Sequence, residues 1–365
     1  MTSPFDAILR PELSDLRAYV PHPAPADAIR LDANESPWDL DPEVKAELMA
    51  SAARVPFQRY PDPRATALRE VIAARQGCHP DEVVLGNGTD EVIAMILAAL
   101  SRPREGAARA TVLHPTPSFV MYRISSLALG LHPVGVSLDD AWDLDVPAMR
   151  DAIARERPNV VFLPSPNNPT GNRFSDDRVR AVLDAAPDAL VLLDEAYGPF
   201  AGRGYDAERR ARRNVGQLQT LSKIGFAALR CGWAILPAAL AREVDKVRQP
   251  YNLDAVTQHL AREALTRCAD AIDAAVARVV SERARLVDAL RAMPGVEVTP
   301  SDANFVWIEV PGDAATVHAA LLERGVLVRS FHATGGRLAR RLRVTVGTPA
   351  EDDRFLDALR AALSY

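Results

Sequence analysis

Seven short apolar runs recur between residues 83 and 236, most of them separated by about ten or more residues of helical pattern. They are Val83–Leu85, Ala110–Leu113, Pro133–Val136, Val160–Leu163, Leu190–Leu193, Leu218–Leu221 and Gly232–Leu236. Strand–helix alternation of this kind leaves few architectures open. It predicts an α/β fold whose mainly parallel seven-stranded sheet is flanked by helices on both faces. After Pro250 the pattern changes. A helical region runs from about Asp254 to Met293, and Asn304–Val310, a helix, Val326–Phe331, Leu342–Gly347 and a final helix follow. The expected organisation is a large domain over 41–252 and a smaller α/β domain over 253–365. Residues 1–40 are rich in proline and polar residues and read as an arm. Asp41-Pro42 is a cap-plus-first-turn signal for a helix through about Arg54.

A chain of 365 residues exceeds a comfortable single core, which agrees with two domains. The net charge of −5 gives no footprint for nucleic acid. The cluster Arg209-Arg210-Ala211-Arg212-Arg213 is preceded by Asp206 and Glu208 and reads as a solvated loop. The three cysteines are odd in number, and no pair has metal-ligand spacing, so no metal is expected. The first twenty residues lack the basic-then-apolar layout of a signal peptide, and no apolar run approaches the roughly 18 residues of a membrane span. A cytoplasmic protein with no membrane or nucleic-acid partner is the expectation.

In a doubly wound sheet, ligands bind outside the carboxyl ends of the strands, and the unusual residues fall at those ends. The run VVLGNGTDEVIAMILAAL ends a strand in Gly86-Asn87-Gly88 and opens a helix at Thr89-Asp90. Glycines allow close backbone approach, and a helix N-terminus presents free N–H groups that suit a phosphate. Neither the Walker pattern nor GxGxxG is present. Asn167, Asn168, Pro169, Thr170 and Gly171 follow the run Val160–Leu163, and Asp194-Glu195 follow LVLL. A carboxylate at the mouth of a buried strand needs a partner. Lys223 lies between Ser222 and Ile224. The chain has 43 Lys+Arg, of which only Lys45, Lys223 and Lys246 are lysine. Arginine serves wherever a plain positive charge suffices. Only a lysine amine among side chains forms an imine with an aldehyde. Each stretch alone also fits an ordinary turn, cap or surface charge.

Together, and in this order, they resemble a fold-type I pyridoxal-phosphate enzyme of the histidinol-phosphate aminotransferase family. The resemblance covers nearly the whole chain. It rests on LDANESP (31–37), RYPDP (59–63), GNGTDE (86–91), PSFVMY (117–122), SPNNPTG (165–171), LLDEAY (192–197), TLSK (220–223), LRCGW (229–233), ANFVW (303–307), Arg329 at the end of VLVR, and LRVTVGT (342–348). The resemblance implies pyridoxal 5'-phosphate as cofactor, with Lys223 as its covalent anchor and proton carrier. Asp194 would pair with the pyridine nitrogen, Asn168 and Tyr197 would bond the phenolic oxygen, and Phe119 would stack on the ring. Gly88, Thr89, Asp90, Thr220, Ser222 and Arg230 would hold the phosphate. Many relatives have one more residue between lysine and arginine than Lys223 and Arg230 do here. Tyr60 resembles a tyrosine that reaches the neighbouring subunit's phosphate, so a homodimer is implied. On the substrate side the resemblance implies Tyr19, Asn34, Tyr251, Asn304, Arg329 and Arg343. The two arginines would accept a phosphate ester and a carboxylate in turn. The implied activity is reversible ping-pong transfer between L-histidinol phosphate and 2-oxoglutarate, in histidine biosynthesis. A threonine-phosphate decarboxylase-like enzyme and an aromatic-amino-acid aminotransferase use the same Lys, Asp and arginine set and remain open alternatives.

Overall fold

The computed structural model describes residues 4–5, 8–16, 18, 25 and 27–363. Among the described residues, twelve strands form two sheets. In chain order they are β1 (Ile29–Leu31), β2 (Val83–Asn87), β3 (Thr111–Thr116), β4 (His132–Ser137), β5 (Val160–Pro164), β6 (Leu190–Asp194), β7 (Val215–Thr220), β8 (Cys231–Ile235), β9 (Glu297–Thr299), β10 (Phe305–Glu309), β11 (Val326–Ser330) and β12 (Arg341–Thr345). The larger sheet has the order β2-β8-β7-β6-β5-β3-β4. Its pairs from β7 through β4 are parallel, while β8 is antiparallel to both β7 and β2.

The apolar runs are continuous because both faces of this sheet are covered. Phe162 and Leu192 pack into one layer with Val92, Ile93 and Ile96 of helix Gly88–Ala99. Val161, Leu163, Val191 and Leu193 point the other way, onto Val179 and Val182 of helix Asp176–Ala185. This alternation is the period of two of a strand, with apolar residues required at every position.

The topology gathers chain ends along one edge. β3, β5, β6 and β7 run in the same direction, so Thr116, Pro164, Asp194 and Thr220 end at that edge. β2 reaches it as well, since two antiparallel steps through β8 restore its direction. Asn87 therefore ends beside the start of β8 at Cys231.

The smaller sheet has the order β1-β11-β12-β10-β9. β1 was not anticipated: its three residues pair in parallel with β11, so the last part of the arm is stitched into this sheet. The helical region after residue 254 is two helices, Ala255–Arg267 and Ala269–Arg291, interrupted at Cys268. The second runs for 23 residues and buries Val279, Leu286 and Leu290 against the core formed by Leu31, Phe305, Val344 and Phe355.

Candidate active site

A cavity of about 310 Å³ opens at the carboxyl edge of the larger sheet. Five strand ends feed it. Gly88, Thr89 and Asp90 begin the helix after β2, and Phe119 follows β3. Asn168 follows β5, Asp194 ends β6, and Thr220, Ser222 and Lys223 end or follow β7.

One end of the cavity is built for an anion. Gly88 has φ +75°, and a Cβ there would lie 2.6 Å from Nη2 of Arg230. A Cβ on Gly232 would lie 2.6 Å from the Thr89 nitrogen. Glycine at both positions lets the guanidinium and β8 close onto the first turn of helix Gly88–Ala99. Arg230 adopts the left-handed backbone, φ 47°, after the short turn Ala227–Leu229. Its carbonyl thereby accepts from the Gly88 N–H at 2.8 Å, and its Nη1 lies 3.4 Å from Ser222 Oγ. Thr220 Oγ1 donates to Ser222 Oγ at 3.0 Å. Free helix amides, two hydroxyls and a guanidinium converge there.

The other end is acidic. Asp194 is 6% exposed. Its Oδ2 accepts from the Tyr122 hydroxyl at 2.7 Å and its Oδ1 from the Ala196 N–H at 3.0 Å. Burial raises the Asp194 carboxyl above its ordinary range; the Tyr122 and Ala196 donors and the Lys223 charge oppose this, and the Asp90 charge adds to it. Asp90 is likewise raised by burial, against Arg230 and Lys223, and its Oδ1 is buried with no hydrogen-bond partner. The Asp194 carboxylate keeps lone pairs beyond its two donors, which suits an N–H ligand. A phosphate-bearing pyridinium supplies both the anion for the cradle and that N–H, so the residues present fit pyridoxal phosphate.

Between the two ends lie donors and the amine. Lys223 is half-buried, with Nζ 3.3 Å from the Ala33 carbonyl and 5.8 Å from the centre of the Tyr197 ring. Tyr197 Oη accepts from Asn34 Nδ2 at 2.9 Å, which leaves the hydroxyl proton for another acceptor. Asn168 Oδ1 accepts from Arg343 Nη1 at 2.5 Å, which leaves the amide hydrogens of Asn168 to donate. Arg343 also donates to the Asp32 carbonyl and lies directly across the β11–β12 register from Arg329; both arginines line the cavity.

The remaining anticipated residues are placed differently. Asn34 lines the cavity but is 1% exposed, its side chain spent on Tyr197 and Thr345. Asn304 does not line the cavity; its Nδ2 donates to the Asn34 carbonyl from beneath. Tyr60 and Tyr251 stand outside it, stacked on each other at 4.6 Å and 80% and 40% exposed. Tyr19 lies outside the described residues. Tyr122 and Ser118 line the cavity and were not anticipated. The only signal for Tyr122 was its place at the end of PSFVMY. No helix among the described residues is long and apolar enough to cross a membrane.

The family described as "Aminotransferase class I and II" matches residues 26–359. With this fold and site, the chain belongs to the class I and II aminotransferases, pyridoxal-phosphate-dependent transferases of amino groups. It is 41% identical over 355 residues to histidinol-phosphate aminotransferase 2 of Nitrosococcus oceani, covering 97% of this chain and 96% of that protein. It is 42% identical over 368 residues to histidinol-phosphate aminotransferase 1 of Burkholderia mallei, covering all of both. Within the class, the chain is therefore a member of the histidinol-phosphate aminotransferase family. The crystal structure of histidinol-phosphate aminotransferase from Sinorhizobium meliloti in complex with pyridoxal-5'-phosphate has the same fold. Its TM-score is 0.81 at 24% identity, covering 92% of this chain and 90% of that one.

Proposed function

We propose that this enzyme exchanges an amine between L-histidinol phosphate and 2-oxoglutarate by a ping-pong mechanism, as a step of histidine formation in the cytoplasm. The observation that carries the reading is the set of cations around the cavity. Arg230 serves the anion cradle at one end, and a separate pair, Arg329 and Arg343, faces the cavity from β11 and β12. A single site must take a phosphate ester and then a dicarboxylate. An arginine pair accepts both, because its fork geometry matches either oxyanion.

Bound pyridoxal phosphate supplies an aldehyde that captures the substrate amine and a protonated ring that takes up the electron pair released at Cα. The protein does the rest. Lys223 anchors the cofactor and, when released, carries the proton to and from the substrate Cα. Asp194 keeps a negative charge against the ring nitrogen. Tyr197 and Asn168 offer their free hydrogens to the phenolic oxygen, each held in place from behind by Asn34 and Arg343. Phe119 covers one face. Gly88, Thr89, Asp90, Thr220, Ser222 and Arg230 hold the phosphate, while Asn304, outside the cavity, steadies the arm through its bond to the Asn34 carbonyl.

The same reading includes a large domain over 41–252, a small domain over 253–365 and a homodimer. The exposed Tyr60–Tyr251 stack is the surface a second copy would cover, with Tyr60 reaching the partner's cradle. Sedimentation at micromolar concentration would give a monomer if this part is wrong.

The test of function is an incubation with histidinol phosphate and 2-oxoglutarate, with glutamate as the measured product. Stoichiometric glutamate is expected. Carbon dioxide released from phosphothreonine, without turnover of 2-oxoglutarate, would assign the site to a decarboxylase. Transfer from phenylalanine with none from histidinol phosphate would assign it to aromatic substrates.

A further inference from the structure

We propose that Tyr122 is a positioning residue for this reaction: its hydroxyl orients the Asp194 carboxylate and keeps it ionised against the protonated ring nitrogen of the cofactor. This rests on the functional reading above and concerns a residue to which that reading gives no role.

Tyr122 is completely buried. Its ring stacks on Phe162 at 4.3 Å with an interplanar angle of 10°, and Phe119 meets it edge-on at 5.6 Å. Its backbone is held on both sides: the amide donates to the Phe119 carbonyl, and its own carbonyl accepts from Ser126 Oγ at 2.7 Å. A ring fixed in this way aims its hydroxyl at one target, Asp194 Oδ2, at 2.7 Å. The Ala196 N–H takes the other oxygen. A carboxylate has about four lone-pair sites, so two stay open toward the cavity. Tyr122 thus links the acid that faces the ring nitrogen to Phe119, the side chain that covers the ring.

The direction of the effect follows from the surroundings. Burial and Asp90 favour the neutral acid, while Tyr122, Ala196 and Lys223 favour the carboxylate. Burial and the Asp194 charge push the Tyr122 phenol well above its usual range, so it donates a hydrogen bond and keeps its proton. Without the hydroxyl, the carboxylate loses a short hydrogen bond and gains proton affinity. The proton then moves from the ring nitrogen onto Asp194, and the ring becomes a weaker electron acceptor.

The test is Tyr122→Phe, which keeps the stack on Phe162 and the contact to Phe119. Wild type and variant are loaded with pyridoxal phosphate carrying ¹⁵N in the ring, and the nitrogen resonance is measured. The wild-type signal is expected at the protonated position, and the variant signal is expected to move toward the unprotonated one. Loss of a hydrogen bond to a charged group also predicts about a ten- to hundredfold lower kcat with KM changed less than about threefold. Tyr122→Leu, which also lacks the hydroxyl, must shift the nitrogen in the same direction. Phe162→Leu loosens the stack but keeps the hydroxyl; it should lower Tm and shift the nitrogen much less than Tyr122→Phe does. A Tyr122→Phe signal at the wild-type position, or an equal shift in Phe162→Leu, overturns the proposal while the functional reading stands. A wild type that binds no cofactor, or binds it with an unprotonated nitrogen, overturns the pairing with Asp194 and this proposal with it.

Discussion

At Gly88 the site has no room for one methyl group. A Cβ would meet the Arg230 guanidinium at 2.6 Å, and the backbone is left-handed. Gly88→Ala therefore either displaces Arg230 from the cradle or strains the first turn, at a cost of roughly 1–2 kcal/mol. We expect the Kd for pyridoxal phosphate to rise about tenfold or more, since each 1.4 kcal/mol is a factor of ten. Far-UV circular dichroism should not change. Unchanged affinity would mean that the phosphate is not held at this turn. Residues of this kind were legible in the sequence, because GNG after an apolar run is a local pattern. Tyr122 was not legible: its hydroxyl meets a carboxylate 72 residues away in the chain, and no local pattern encodes that meeting.

Among the elements, the contact between helix Ala269–Arg291 and helix Pro349–Leu363 carries a titratable acid in its core. Asp352 is fully buried, and its Oδ1 accepts from the Gly347 N–H at 2.9 Å. Burial, reinforced by the neighbouring Glu282 charge, pushes its carboxyl up to about 8. An unfolded aspartate titrates near 3.9, so between about pH 4 and 8 the folded chain holds a proton that the unfolded chain has lost. Stability contributed by this group therefore falls as pH rises through that window and levels off above it. The slope is at most about 1.4 kcal/mol per pH unit. Asp352→Asn keeps the acceptor for Gly347 and removes the proton. Its stability relative to wild type should rise steadily from pH 5 to pH 8 in urea denaturation; a constant difference would contradict the assignment.

The elements also mark what a linear reading can reach. The central strands were readable because both their faces are buried and every position is apolar. β1 and β9 have three residues each, too few for any period to register, and β1 finds its partner in β11 almost 300 residues later. The break at Cys268 carries neither glycine nor proline, so nothing local announced it.

In the whole molecule, the two sheets bring together side chains that lie far apart in the chain. Asn34 bonds Tyr197 from the arm, Arg343 bonds Asn168 from β12, and Lys223 lines the same cavity from the turn after β7. The strand ends of the larger sheet account for the cofactor end of the site. The closure by β12 and by the arm was legible only through the family resemblance, since it depends on how the two sheets meet. The scarcity of lysine makes the central claim simple to test. With only Lys45, Lys223 and Lys246 present, borohydride reduction of the cofactor-loaded protein followed by peptide mapping has three lysine side chains to tell apart. One reduced cofactor per chain is expected on the Lys223 peptide, absent when histidinol phosphate is added before the borohydride and present again when 2-oxoglutarate follows histidinol phosphate before reduction. Labelling at Lys45 or Lys246, or undiminished labelling after histidinol phosphate, would contradict it.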